Sequence, residues 1–299
     1  MDDFKEFIPN VRFEQIPIKN LVSNQDYQRN LSEAHVKRAV ENFDLYQVNP
    51  VKVSRRDGIN YVFNGQHTIE IIATVSGSRE TPVWCMVYGD LEYGHEADIF
   101  ANQQKYVKAL KPYEIYVANL EAENPEQLTI KALVESYNLK ITPTKCVGGI
   151  CAISTLEYIY RNYGYHILDD TLRLCVGTWE GDVDSFCSNI LKGIAKLLVA
   201  YGTKLDPNAF KDKLGACSIK EISRSAGIRS NGSLGYAETM LTIYNKRMKY
   251  PLKYSDLYTN KKGVSMPDYL NADEYDEEDI DEELTELDEN TEEQSCDSE

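Results

Sequence analysis

Several features are scarce in this 299-residue chain, and each scarcity closes off a class of proteins. No apolar run approaches the ~20 residues that a membrane helix needs, so no membrane partner is expected. The opening residues, Met1-Asp-Asp-Phe-Lys-Glu, are acidic and lack a signal-peptide pattern, which points to a cytoplasmic protein. The seven cysteines are scattered and odd in number, and no Cys-x-x-Cys pair occurs. Cys146 and Cys151 have no second pair nearby, so zinc is not expected and reduced thiols are the better reading. There is no Gly-x4-Gly-Lys-Ser/Thr loop and no nucleophile elbow. Carboxylates are plentiful but form no recognisable catalytic or metal-binding cluster, so the chain leans away from being an enzyme.

What is present is first of all a polarised charge. The net charge of −16 is concentrated in residues 273–299, which hold sixteen Asp and Glu and no Lys or Arg. Without them 32 basic residues face 32 acidic ones. Within this neutral body, residues 211–262 carry eleven basic and four acidic side chains. The tail has no apolar pattern able to bury a core and is expected to be disordered. Its spacer, residues 263–272, spans roughly 15–20 Å as a random coil. The tail could thus solubilise the chain, compete with DNA for the basic segment, or bind a basic protein.

The most informative stretch is Tyr61-Val-Phe-Asn-Gly-Gln-His-Thr-Ile-Glu-Ile-Ile-Ala73. Residues 59–63 alternate and are rich in β-branched and aromatic types, as in a strand. Asn64-Gly65 breaks the pattern. From Gln66 the period becomes helical, with Ile69, Ile72 and Ala73 on one face. A strand, a glycine turn and a helix start place free N–H groups and the positive end of a helix dipole at one spot, where anions bind readily. Most such junctions hold nothing, so the neighbouring sequence has to decide. His67 is the best single candidate for acid–base work, and hydrogen bonding to a sheet carbonyl is its competing role.

That neighbourhood resembles the N-terminal domain of the ParB/sulfiredoxin superfamily, most of all the branch with a Gly-Gln-His-Arg turn found in phage and mobile-element proteins. The matching pieces are Ile16-Pro-Ile-Lys-Asn-Leu21, the first box Asp26-Tyr-Gln-Arg29, the helix over 32–46, the hairpin of 49–53 and 59–63, the second box Asn64-Gly-Gln-His-Thr68, Ala97-Asp-Ile-Phe-Ala-Asn-Gln-Gln104 and Leu110-Lys-Pro-Tyr-Glu-Ile-Tyr116. The resemblance implies an α+β fold, a small mixed sheet with helices, followed by an all-α domain and the acidic tail. It implies a nucleotide or phosphate site built from Arg29, Asn64, Gly65, Gln66 and His67, with a nucleoside triphosphate, CTP or ATP, as the ligand. It also places Arg29 beside the Gly65–His67 turn. Two departures stand out. Thr68 occupies a position where nucleotide-binding members carry Arg, and it cannot make a charge-assisted phosphate contact. Gln66 stands where sulfiredoxins carry their catalytic Cys, which excludes that chemistry.

The expected domains are 1–107, α+β; 108–262, helical; and 263–299, the tail. In the first, Ser32 caps a helix with Val36, Ala39, Val40 and Phe43 on its apolar face, Asp57-Gly58 turns a hairpin, and residues 81–88 form a strand internal to the sheet and apolar on both faces. From Pro112 the helical candidates are 112–123, 126–138, 150–163, 166–179, 184–201, 207–214, 218–226 and 231–249. The pair 218–226 and 231–249, with Gly227 between them, has the outline of a helix-turn-helix. Arg224, Arg229, Lys246, Arg247 and Lys249 are its candidate DNA-phosphate ligands. A helical hairpin with a solvated basic face would look the same.

The leading expectation is a ParB-like DNA-binding or regulatory protein of a phage or mobile element. One alternative is a nucleotide hydrolase or nuclease working at the Arg29/His67 turn. Another is a non-enzymatic inhibitor or interaction protein that uses its acidic tail. The partners implied are DNA, a basic protein and a second copy of the chain.

Overall fold

The structure is a computed structural model that describes residues 9–23, 27, 30–103, 105, 108–230 and 232–258. Arg29 and the acidic tail lie outside the described residues. The chain divides into two compact units, Met1–Ala109 and Leu110–Glu299.

The first unit contains β1 (Val11–Pro17), β2 (Leu21–Ser23), α1 (Glu33–Glu41), β3 (Val51–Arg56), β4 (Ile59–Asn64), α2 (Gln66–Ser76), β5 (Pro82–Tyr88) and α3 (Tyr93–Gln103). The five strands form one mixed sheet in the order β1-β5-β3-β4-β2. β1 and β5 run antiparallel from Val11 opposite Tyr88 to Pro17 opposite Pro82. β3 lies parallel to β5 and antiparallel to β4, and β2 is parallel to β4. The β3–β4 hairpin turns through Asp57 and Gly58 at φ 52° and 78°, the left-handed pair that a two-residue turn requires.

The alternation of β-branched residues places Val51, Val53, Val62, Val83, Cys85 and Val87 on one face, buried with Ile16, Ile18 and Ile69 of α2. β5 is internal to the sheet, but its two faces differ. Val83, Cys85 and Val87 are buried, whereas Trp84 is 55% exposed. α1 contributes no fully buried residue. In α3 the fully buried residue is Glu96, not Ala97 or Ala101.

The second unit contains α4 (Pro112–Glu121), α5 (Pro125–Ser136), β6 (Lys140–Ile141), β7 (Gly149–Ile150), α6 (Ile153–Trp179), α7 (Ser188–Tyr201), α8 (Pro207–Gly215), α9 (Ile219–Ala226), α10 (Gly232–Asn245) and α11 (Ser255–Tyr258). It is helical except for the short parallel β6–β7 ladder, which the periodicity did not suggest. α6 is broken at Gly164, whose φ of 84° and ψ of 172° are not helical. The break coincides with the link expected between 150–163 and 166–179.

Asn124, Asp206 and Ser218 cap α5, α8 and α9 with side-chain oxygens. The core of this unit is built on α7, which packs against α6 and α10. Ile190, Leu191, Ile194 and Leu197 of α7 are fully buried with Leu172, Phe210, Met240 and Leu241.

Candidate functional site

In the first unit β4 ends at Asn64, and α2 starts one residue later. Gly65 makes this junction with φ 107° and ψ 18°. A Cβ there would also lie 3.2 Å from the Val51 Cα, so the position disfavours a side chain on both conformational and steric grounds. The first N–H groups of α2 have no partner within the helix, and Gly65 supplies no side-chain cap.

The His67 ring lies within this first turn. Its Nε2 accepts a hydrogen bond from the Ser32 backbone N–H at 3.1 Å. An imidazole nitrogen that accepts is unprotonated, so the hydrogen-bond pattern assigns a neutral ring with its proton on Nδ1. Ser32 is the N-cap of α1, and its hydroxyl accepts from the His35 N–H at 3.3 Å. The His35 ring meets the His67 ring edge to face at 5.2 Å. The starts of α1 and α2 are thereby joined through one neutral imidazole. Both helices direct the positive ends of their dipoles toward that joint, an arrangement suited to an anion.

Further contacts shape the surroundings. The Asn64 Nδ2 donates to the Gln103 Oε1 at 2.6 Å, tying the glycine turn to the end of α3. Seven residues earlier, Glu96 is fully buried and pairs with Arg56, Nε to Oε1 at 2.7 Å. The Arg56 guanidinium stacks 4.2 Å over the Tyr61 ring. Tyr27 donates to the Glu96 Oε2 at 3.3 Å and packs its ring on Tyr93 and Phe100 at 5.7 Å each. Tyr27 belongs to the box that ends at Arg29, so this cluster anchors the described part of that box.

Of the expected site residues, Asn64, Gly65, Gln66 and His67 share one turn. Gln66 is buried at 8% exposure, and Arg29 lies outside the described residues. Sequence reasoning missed the acceptor role of His67 toward Ser32, the His35 contact, Gln103 and Glu96. Ser32 was visible as a cap and Gln103 as part of a quoted motif. An acid inside a helix carries no local sign that it is buried.

In the second unit α9 and α10 have the expected outline, but their exposures are reversed from what groove reading requires. No residue of α10 is exposed, and Ala237, Thr239, Met240, Leu241 and Tyr244 are buried. A helix with no exposed residue offers few side chains to a major groove. The exposed face belongs to α9, through Lys220, Arg224 and Ser225, and continues to Arg229.

Lys246, Arg247 and Lys249 are exposed beyond the other end of α10. Fourteen residues of helix separate the two cation groups, about 20 Å at the α-helical rise. Lys246 there also suits the negative end of the helix dipole. Among the described residues no helix is long and apolar enough to cross a membrane, and no group of His, Cys, Asp and Glu is arranged to hold a metal ion. Burial pushes the thiols of Cys85 and Cys175 up to about 11 and about 12, so both are protonated near neutrality and unsuited to nucleophilic attack.

A family model described as a family of unknown function, DUF6551, matches residues 22–252. No curated protein matches the chain. Among solved structures, it is similar to the C-terminally truncated chromosome-partitioning protein ParB from Caulobacter crescentus complexed with CTP-gamma-S. That match has 12% identity, 77% of this chain and 99% of that chain covered, and a TM-score of 0.33. It is also similar to the truncated ParB from Caulobacter crescentus complexed to the centromeric parS site, with 17% identity, 70% and 95% covered, and a TM-score of 0.26. Superpositions this loose establish neither fold nor function.

Proposed function

The chain belongs to the DUF6551 family, and from the geometry of its glycine turn we propose that it is a ParB-like DNA-binding regulatory protein that responds to a nucleotide. In this reading the first unit takes the phosphates of a nucleoside triphosphate, CTP or ATP, at Asn64, Gly65, Gln66 and His67, and Arg29, outside the described residues, is a further candidate ligand. The observation that carries it is the convergence of the α1 and α2 N-termini on the neutral His67 ring. Backbone amides and dipoles supply the attraction for phosphate oxygens there, and Thr68 contributes no charge of its own.

Hydrolysis at the same turn is disfavoured, because the lone pair that His67 would need as a general base already accepts from Ser32. DNA contact falls to α9 and the turn after it, through Arg224 and Arg229. Lys246, Arg247 and Lys249 form a second group of phosphate ligands.

A thermal-denaturation series with CTP and ATP tests the first half. A ligand held at 100 times its dissociation constant stabilises the native state by about 2.7 kcal/mol. The wild-type protein should therefore melt several degrees higher with one of the two, and His67→Ala should lose most of that shift. An equal shift in His67→Ala places the nucleotide elsewhere. Gel shifts across a salt series test the second half. Affinity should fall steeply with salt, and Arg224→Ala with Arg229→Ala should flatten the slope by about two phosphate contacts. A slope unchanged by the double substitution would remove α9 from the interface.

A further inference from the structure

The helical unit contains a cleft of about 410 Å³, formed by the loop between β6 and β7, the start of α7, α9 and α10. This volume lies in the usual range for a small-molecule site. Three cations converge on it: Lys145 from the loop, and Lys220 and Arg224 from α9. Asp184 is the only acid in the lining, so the cleft carries a formal excess of two positive charges.

None of the three cations forms an ion pair among the described residues. Elsewhere in this unit Arg161 pairs with Glu126 at 2.8 Å and Arg173 pairs with Asp170. Like charges brought together repel one another; Asp184 in the lining and Glu221 near Arg224 offset part of this, and an anion between the cations relieves the rest.

The floor of the cleft adds to the same polarity. Cys187 stands at the N-cap of the fourteen-residue α7, where Ser, Thr, Asp or Asn is usual, and it makes no side-chain capping bond. The backbone of Ile190 and Asn189 and the charge of Lys145 act to lower its pKa. Burial outweighs these influences and raises the thiol, so Cys187 brings no negative charge to the helix start. The half-buried ring of Tyr236 supplies a flat apolar wall.

We propose that this cleft is a second anion site that binds a phosphate ester, with the phosphate held between Lys145, Lys220 and Arg224 at the start of α7 and a planar ring laid on Tyr236. The site belongs to the second unit, does not depend on the nucleotide reading of the Gly65 turn, and shares Arg224 with the DNA contact proposed above. Its phosphate ester is that of a free mononucleotide.

The test is calorimetric titration of the full-length protein with inorganic phosphate, AMP, CMP and a short DNA duplex. It compares the wild type, the triple variant Lys145→Ala, Lys220→Ala, Arg224→Ala, and His67→Ala. All three cleft substitutions fall on exposed side chains, and far-UV circular dichroism checks that the fold is kept. Each charged contact removed should weaken binding about tenfold. Binding of AMP or CMP that is lost in the triple variant and kept in His67→Ala supports a mononucleotide site. Loss confined to the duplex is what the DNA contact proposed for Arg224 already predicts, and it overturns the cleft as a separate site. Equal binding by the triple variant and the wild type, or no binding of any of the four probes at millimolar concentration, overturns the proposal. Loss in His67→Ala alone overturns it too, while leaving the Gly65 reading intact.

Discussion

Two helices of this chain follow short glycine-containing turns, and they end in opposite surroundings. α2 starts at Gly65 with half-exposed residues in its first turn, and only Gln66 and Ile69 are buried along its length. α10 follows the turn at the end of α9 and has no exposed residue. Local pattern alone would give both helix starts to a ligand. The difference is decided by what surrounds each helix.

In α2, Ile69, Ile72 and Ala73 pack toward the sheet, whereas Val75 is exposed. The apolar residues of α10 run all round it, because α7, α8 and α9 pack against it from several sides. A helix start functions as an anion site only where tertiary packing leaves it open. The two starts are buried to a similar degree, His67 and Thr68 in α2 and Gly232, Ser233 and Leu234 in α10 being half-buried; the helices differ further along, where α2 ends in the exposed Thr74, Val75 and Ser76 and α10 has no exposed residue, so that the exposed cations of this region sit on its neighbour α9.

Three glycine substitutions turn the comparison into measurements. The largest effect is expected at Gly235 within α10. A Cβ there would fall 2.1 Å from the Ser230 carbonyl oxygen and 2.7 Å from that of Ala226, both rigid backbone atoms. Gly235→Ala should cost about 3 kcal/mol in urea denaturation of the helical unit. A cost below about 1 kcal/mol would mean that α10 is not enclosed as described.

Next comes Gly65→Ala, which combines a left-handed φ with the 3.2 Å approach to Val51. It should cost about 2 kcal/mol and also abolish the nucleotide-dependent rise in melting temperature. Loss of stability with the nucleotide response retained would separate the turn from the site.

The smallest effect is expected at Gly227. Its φ of −62° is right-handed helical, and the nearest atom to an added Cβ is the Ser223 carbonyl oxygen at 3.8 Å. Gly227→Ala should be neutral or stabilise by about 0.5 kcal/mol through the unfolded chain. A clear destabilisation would show that the turn between α9 and α10 needs a glycine after all, as its sequence outline suggested.

Much of the first unit was legible because its signals are local. The Asp57-Gly58 turn, the Ser32 cap and the change of period at Gln66 each lie within a few residues of the structure they specify. In the second unit the break near Gly164, between the helices expected over 150–163 and 166–179, was equally local.

What could not be read depends on distant partners. Glu96 is buried because Arg56, forty residues away, meets it with a guanidinium. His67 accepts from Ser32 across thirty-five residues. The enclosure of α10 requires three other helices, and no window centred on 231–249 contains them. The cleft cations come from Lys145 and from α9, so only folding brings them together.

The sheet order of the first unit also has a kinetic consequence. β3 and β4 are joined by a two-residue turn, so their pairing is local and a hairpin of this kind closes in about 1–10 μs. β1, by contrast, pairs along its whole length with β5, with Val11 opposite Tyr88, and closes a loop of most of the unit. Such a contact bears its loop-closure entropy before any pairing offsets it, so β1 docks late. Weakening β1 should accelerate unfolding while leaving the folding rate nearly unchanged, whereas weakening the β3–β4 hairpin should slow folding. The Gly65 turn extends directly from that hairpin, so it takes shape among the first parts of the unit, before its outermost strand is in place.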